Sequence, residues 1–213
     1  MNIIHSDFFV STLFDVVSPI ELFSLRLISP YLYEHIRMKE IENLIILKVY
    51  QRLKDVNILN IIDKYKVCIY GPIVNEVIWG EYNDNTYMDL KMRYDQVGTK
   101  ENNIFIDLGM RPYEYCRVDS WMYHAMEYTL MLGKIRLCIT HDEWKEEKQH
   151  RYEMFPTIFR NTICDHQLTL TNISDLIHKK YKKIDYYHTY DFHDQETEEY
   201  LCEKYLIQAI EIT

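Results

Sequence analysis

Apolar residues recur at helical spacing over the first quarter of the chain and alternate at strand spacing in several later stretches. Phe8, Phe9, Leu13, Phe14, Val16 and Val17 make one short helical face. Ser18-Pro19 opens a second helix, with serine as the cap, proline in the first turn and Glu21 three residues on, at capping-box spacing. That helix carries Leu22, Phe23, Leu25, Leu27 and Ile28 and breaks at Ser29-Pro30. A third runs through Tyr31, Leu32, His35 and Ile36 and continues or restarts from Ile41 to Leu53. Ile58, Leu59, Ile61 and Ile62 mark a short connecting helix.

The pattern then changes. Lys66 to Tyr70 is a β-prone run ending at Gly71, and Pro72 starts a helix in which Ile73, Val74, Val77 and Ile78 repeat until Gly80 closes it. Glu81 to Asn85 is a polar turn, and Tyr87 to Tyr94 alternates as a strand. Further strands are expected at Ile104–Leu108, Tyr113–Val118, Lys134–Thr140 and Asp165–Leu170, with the Lys134 strand central because it is apolar on both parities. Helices are expected at 121–132, capped by Asp119-Ser120 and closed by Gly133, after Asn172 or Ser174, and at 196–210. Residues 155–164 fit either type. The fold class is therefore α+β, a helical unit at 1–55 packed on a mixed-sheet unit at 56–213. No Pro/Gly/Ser linker separates the two, so they are expected to pack together.

Composition narrows the functional classes. The chain has 213 residues, of which 47% are apolar and 27% charged, which is enough to bury a core. The net charge of −9 argues against a general binder of nucleic-acid backbone. Lys179-Lys180-Tyr181-Lys182-Lys183 is the one basic run and is expected to be a solvated helix face. Five cysteines without a CxxC pair, and no signal-like start, point to reduced thiols in an intracellular, cytoplasmic protein. No apolar run approaches the ~20 residues that span a bilayer, so no membrane association is expected.

The stretch Lys66 to Asp95 has the layout strand, glycine turn, short helix, turn, strand with a carboxylate. It resembles the DNA polymerase β-like nucleotidyltransferases, in particular the divergent members found in giant viruses. In that family glycines admit a triphosphate to the backbone, and two carboxylates one residue apart hold divalent ions for in-line displacement. Gly71 matches the first glycine, Pro72 replaces the second, and Asn75-Glu76 stand where Arg-Asp is usual. Tyr87-Met88-Asp89-Leu90 fills the Asp-x-Asp slot with one carboxylate lost. The third carboxylate is best matched at Cys138, in Ile135-Arg136-Leu137-Cys138-Ile139. The resemblance implies a nucleotidyltransferase-like domain without catalysis, with Asp89 as a catalytic remnant and Gly71, Pro72 and Asn75 as the remnant of a nucleotide site. One carboxylate beside a tyrosine does not make a magnesium site, so no metal and no cofactor are expected.

Leu13 to Ser29 resembles a second family. Leu13-Phe14-Asp15-Val16-Val17-Ser18-Pro19-Ile20-Glu21-Leu22-Phe23-Ser24-Leu25-Arg26-Leu27-Ile28-Ser29 is similar to the central part of an F-box, though the usual opening Leu-Pro is absent. The resemblance implies a Skp1-type partner, engaged or supported by Leu13, Pro19, Leu22, Leu25, Leu27 and Ile28. Together the two resemblances imply a non-catalytic adaptor, of the kind that serves ubiquitin ligases, whose pseudoenzyme domain binds an unidentified target protein. If the protein is viral, the host cytoplasm is its place. The alternative is a divergent nucleotidyltransferase or nucleotide-binding protein, in which Asp89 with Asp84 or Asp107 still holds magnesium.

Other chemistry is sparse. His188, Asp191, His193 and Asp194 cluster in a turn without the spacing of an established zinc site. His141-Asp142-Glu143 reads as a polar loop. No histidine base is placed beside Cys138, and neither a Gly-x-Ser-x-Gly elbow nor a Walker lysine occurs. Trp79 and Trp121 fall on helix faces and are expected in the core. Trp144 is the remaining tryptophan.

Overall fold

A computed structural model describes residues 7–54, 58–93, 98, 104–108, 115–117, 128–132, 134–140, 157–183 and 200–211. Five helices come first: α1 (Asp7–Val16), α2 (Pro19–Ile28), α3 (Pro30–His35), α4 (Met38–Lys54) and α5 (Leu59–Tyr65). The expected capping box holds α2 in place: the Ser18 side chain accepts from the Glu21 backbone, and the Glu21 carboxylate accepts from the Ser18 N–H at 2.8 Å. Ser29 caps α3 in turn, its Oγ accepting from Leu32 N at 3.1 Å.

Strand β1 (Cys68–Tyr70), helix α6 (Pro72–Trp79) and strand β2 (Met88–Arg93) follow in the expected order. Gly71 sits at φ 79°, ψ −154°, a conformation a side chain resists, and Pro72 occupies the first turn. Gly80 ends α6 in the left-handed region. After α7 (Ile104–Asp107) come β3 (Tyr115–Arg117), β4 (Tyr128–Leu132), β5 (Ile135–Thr140), a 3-10 turn (Thr157–Phe159), β6 (Thr162–Cys164), β7 (Gln167–Thr169) and α8 (Ile173–His178). The last strands are β8 (Lys180–Lys183) and β9 (Gln208–Glu211).

Among the described residues the main sheet has seven strands in the order β3-β4-β5-β2-β1-β6-β7. Only β2 and β5 pair in parallel within it; their neighbours are antiparallel, so the sheet is mixed. β5 is interior, as its two-sided apolar sequence requires. β8 and β9 form a separate parallel pair.

Helix α6 is the centre of the fold. All eight of its residues are buried, because it packs on β1 and β2 on one side and beneath α2 and α4 on the other. Ile73, Val74, Val77 and Ile78 are each 1% exposed or less. Each such aliphatic side chain contributes about 1.5–3 kcal/mol on burial. One apolar cluster runs from Val10 in α1 through Leu22, Phe23, Ile45 and Val49 to the sheet and on to Tyr205 and Ile207, joining the two expected units.

Four local expectations are corrected. Ile104 to Asp107 is helical, not a strand; a four-residue apolar run carries no decisive period, and here Tyr65 and Lys64 of α5 bind Asp107. Tyr128 to Leu132 is strand β4, not the end of a helix, because five residues pair with β5 and three with β3. Residues 118–127 lie outside the described residues. Lys180 to Lys183 is strand β8, not a helix face: Lys179 turns left-handed at φ 47° and ends α8. The terminal helix is described at 200–204, and Leu206 at φ 54° turns the chain into β9. A fifth correction is covalent. The cysteines read as reduced thiols, yet Cys68 and Cys164 are joined in a disulfide across a sequence separation of 96 residues. The loops with His141-Asp142-Glu143 and Trp144, the His188–Asp194 cluster and Trp121 lie outside the described residues.

Candidate functional site

Alternation along β2 places Asp89 at its second residue, and the parallel register sets it directly beside Arg136 of β5. Arg136 Nε donates to Asp89 Oδ1, and the carboxylate side chain is 1% exposed. Burial pushes the Asp89 carboxyl up to about 6, and the hydrogen bond and charge of Arg136 oppose that rise. Asp89 Oδ2 is buried with no hydrogen-bond partner among the described residues. The guanidinium also lies 5.8 Å from the ring centroid of Tyr87, a half-exposed residue just before β2. Cys138, matched by sequence to a third carboxylate, pairs in register with Lys91 and not with Asp89. The position facing Asp89 across the strands is held by a cation.

The two carboxylates considered as helpers of Asp89 differ: Asp107 is bonded to α5, and Asp84 stands exposed. Asp107 Oδ2 accepts from Lys64 at 2.7 Å and from Tyr65 at 2.8 Å, and these bonds, with the lysine's first, hold its carboxyl below the usual range. Asp84 is exposed in the turn before β2, where its backbone carbonyl accepts from Lys134. Among the described residues no group of three or more His, Cys, Asp and Glu side chains is gathered closely enough to hold a metal ion.

Gly71, Pro72 and Asn75 are all buried. The Asn75 amide is committed internally: Nδ2 donates to Ile158 O at 2.8 Å, and Oδ1 accepts from Asn161 at 2.9 Å. Asn161 Oδ1 in turn accepts from Thr171 N at 2.7 Å, so this pair of asparagines ties α6 to the 157–171 segment. Glu76, the next residue, is fully buried and accepts from Arg52 of α4, Thr86 and Tyr205. Arg52 also donates to Asn83 O at 2.8 Å. Burial and the bond to Glu76 raise the Tyr205 hydroxyl's pKa. The sequence reading singled out Asn75 and missed Glu76 as a hub. A carboxylate in an otherwise apolar helix was the available signal.

The segment Leu13 to Ser29 divides in two. Pro19, Leu22 and Phe23 are buried in the common core, and Leu13 and Leu25 pack partly buried against it. Leu27 and Ile28 are each 71% exposed, and Val16 at the end of α1 is 74% exposed. Tyr33 on α3 is exposed too, with the Arg26 guanidinium 4.3 Å over its ring centroid. An open groove of about 380 Å³ lies on the same unit, lined by Val10, Ser11, Phe14, His35 and Glu40. Trp79 is in the core, its Nε1 donating to Leu176 O at 3.0 Å. No described helix is long and apolar enough to cross a membrane.

Comparison with known proteins yields no matching family model, no matching curated protein and no matching solved structure.

Proposed function

We propose that the chain is a non-catalytic interaction protein, an adaptor in which the α1–α3 surface binds a Skp1-type partner and the sheet unit serves as a scaffold for a target protein. The observation that carries this is the exposure of Val16, Leu27 and Ile28 on helices whose other faces are already spent on the core. Large aliphatic side chains left in water on a well-packed element favour a second protein as their cover. The F-box-like order of residues around them supplies the partner's class. Arg26 over Tyr33 adds the residue types that anchor interfaces.

The loss of nucleotidyl transfer rests on Arg136. A guanidinium beside Asp89 supplies positive charge where a two-carboxylate site would recruit a metal, and Asp89 is nearly fully buried behind it. Asn75 and Glu76 serve the fold by holding the 157–171 segment, α4 and Tyr205. Isothermal calorimetry tests both halves. A purified Skp1-type protein gives saturable heat, and ATP, GTP, CTP or UTP with magnesium gives none. Metal-dependent nucleotide heat that vanishes in Asp89→Ala would establish the enzyme or nucleotide-binder alternative instead.

A further inference from the structure

The antiparallel register of β1 and β6 sets Ile69 against Ile163 and Tyr70 against Thr162, which leaves Cys68 opposite Cys164. Their Cα atoms are 4.5 Å apart, the spacing of the closer kind of antiparallel pair and within the range a disulfide bridges. Both cysteines are half-buried, so a small thiol can reach them. The bridge sits at the tip of the β6–β7 hairpin, at the last residue of β6 before the turn Asp165-His166, whose residues are both at positive φ as a two-residue hairpin turn demands.

Ile163 and Leu168 hold the base of the hairpin in the core, whereas its tip is fastened, among the described residues, by surface contacts. Asp165 pairs with Lys66 at 2.9 Å, His166 lies 3.5 Å from Asp63, and the Tyr50 hydroxyl meets His166 at 3.0 Å. The two ion pairs are more than half exposed and stabilise weakly. β7 is the edge of the sheet. The buried Asn75–Asn161 contact that anchors the start of β6 uses no thiol, so the core does not depend on the bridge.

We propose that Cys68 and Cys164 are a reversible thiol–disulfide pair: oxidation clamps the tip of the β6–β7 hairpin to β1 and to the Tyr50–Asp63–Lys66 surface, and reduction frees the tip while Ile163 at its base stays in the core. The oxidant is a low-molecular-weight disulfide such as oxidised glutathione. One cysteine thiolate attacks it, forming a mixed disulfide and releasing one glutathione thiol. The second cysteine thiolate displaces the other glutathione, so two protein thiols are oxidised as one glutathione disulfide is reduced to two thiols.

The test uses the full chain equilibrated with oxidised or with reduced glutathione. Non-reducing peptide mapping yields a Cys68–Cys164 linked peptide in the first and two alkylated thiols in the second. Amide exchange over residues 164–167 is about tenfold faster in the reduced form, while exchange in α6 stays slow. Cys164→Ser and Cys68→Ser exchange at the reduced rate under both conditions. Thiols that stay alkylatable in oxidised glutathione, hairpin exchange that is the same in both states, or loss of α6 protection on reduction each overturn the proposal.

Discussion

Two buried carboxylates carry opposite lessons about single residues. Asp89 titrates near 6 in the folded chain against about 3.9 in an unfolded one, so between those values the folded state binds more proton. Stability from this group is fully present below pH 4 and is lost as pH rises through 6. Urea unfolding at pH 4 and pH 7 therefore shows wild type losing on the order of 2–3 kcal/mol relative to Asp89→Asn over that interval. A wild type that gains on the variant over that interval contradicts the assignment. Arg136→Met removes the group that holds the carboxyl down, at a cost of about 3–5 kcal/mol, and the double variant Asp89→Leu/Arg136→Met recovers much of it. Equal losses in the single and double variants would mean the pair is not coupled. Glu76 differs because its oxygens are satisfied by Arg52, Thr86 and Tyr205. That Tyr87 stands where the resembled pattern has a carboxylate was legible in the sequence. The cation at Arg136 beside Asp89 was not, because which residue faces Asp89 depends on strand register, and a two-residue shift separates Arg136 from Cys138.

At the scale of elements, local chemistry announced itself where the chain punctuates helices. Ser18-Pro19 with Glu21, Ser29-Pro30, Gly71-Pro72 and Gly80 each mark a boundary found in the structure. Strands formed by pairing were less visible, which is why β4 and β8 looked helical: β4 is defined by its pairing with the adjacent β5, and β8 by its pairing with β9, distant in sequence. The bridge between β1 and β6 was hidden for the same reason. Gly80 shows how closely the elements approach: a Cβ there would lie 2.8 Å from Ser18 Cβ, with φ at +71° besides. Gly80→Ala is expected to cost about 1–3 kcal/mol, read as a lowered urea midpoint with an unchanged slope. A neutral effect would mean that α2 and α6 do not meet as described. Asn75→Ala removes the bonds that Ile158 O and Asn161 Nδ2 make to α6, leaving them only their bond to each other, and costs roughly 1–3 kcal/mol, with faster amide exchange over residues 158–171 as its local sign.

For the whole molecule, the helical unit and the sheet unit share one core through α6, so helices α1–α3 have a buried side and an exposed side. The sequence pattern marked Leu13, Pro19, Leu22, Leu25, Leu27 and Ile28 together. Packing of α2 against its neighbours, α4, α6 and α8 among them, is what separates the buried Leu22 from the exposed Leu27 and Ile28. Magnesium at millimolar concentration is expected to leave the thermal midpoint unchanged, since a ligand stabilises only the state it binds. A midpoint that climbs with magnesium would argue for a surviving metal site. The central claim, that α1–α3 is a partner-binding surface, is tested most directly by titrating a purified Skp1-type protein into wild type and into Leu27→Asp/Ile28→Asp. Saturable binding by wild type that is lost in the variant, with the variant's circular dichroism and thermal midpoint intact, is the predicted result. Absence of binding by wild type, or equal binding by both, would contradict it.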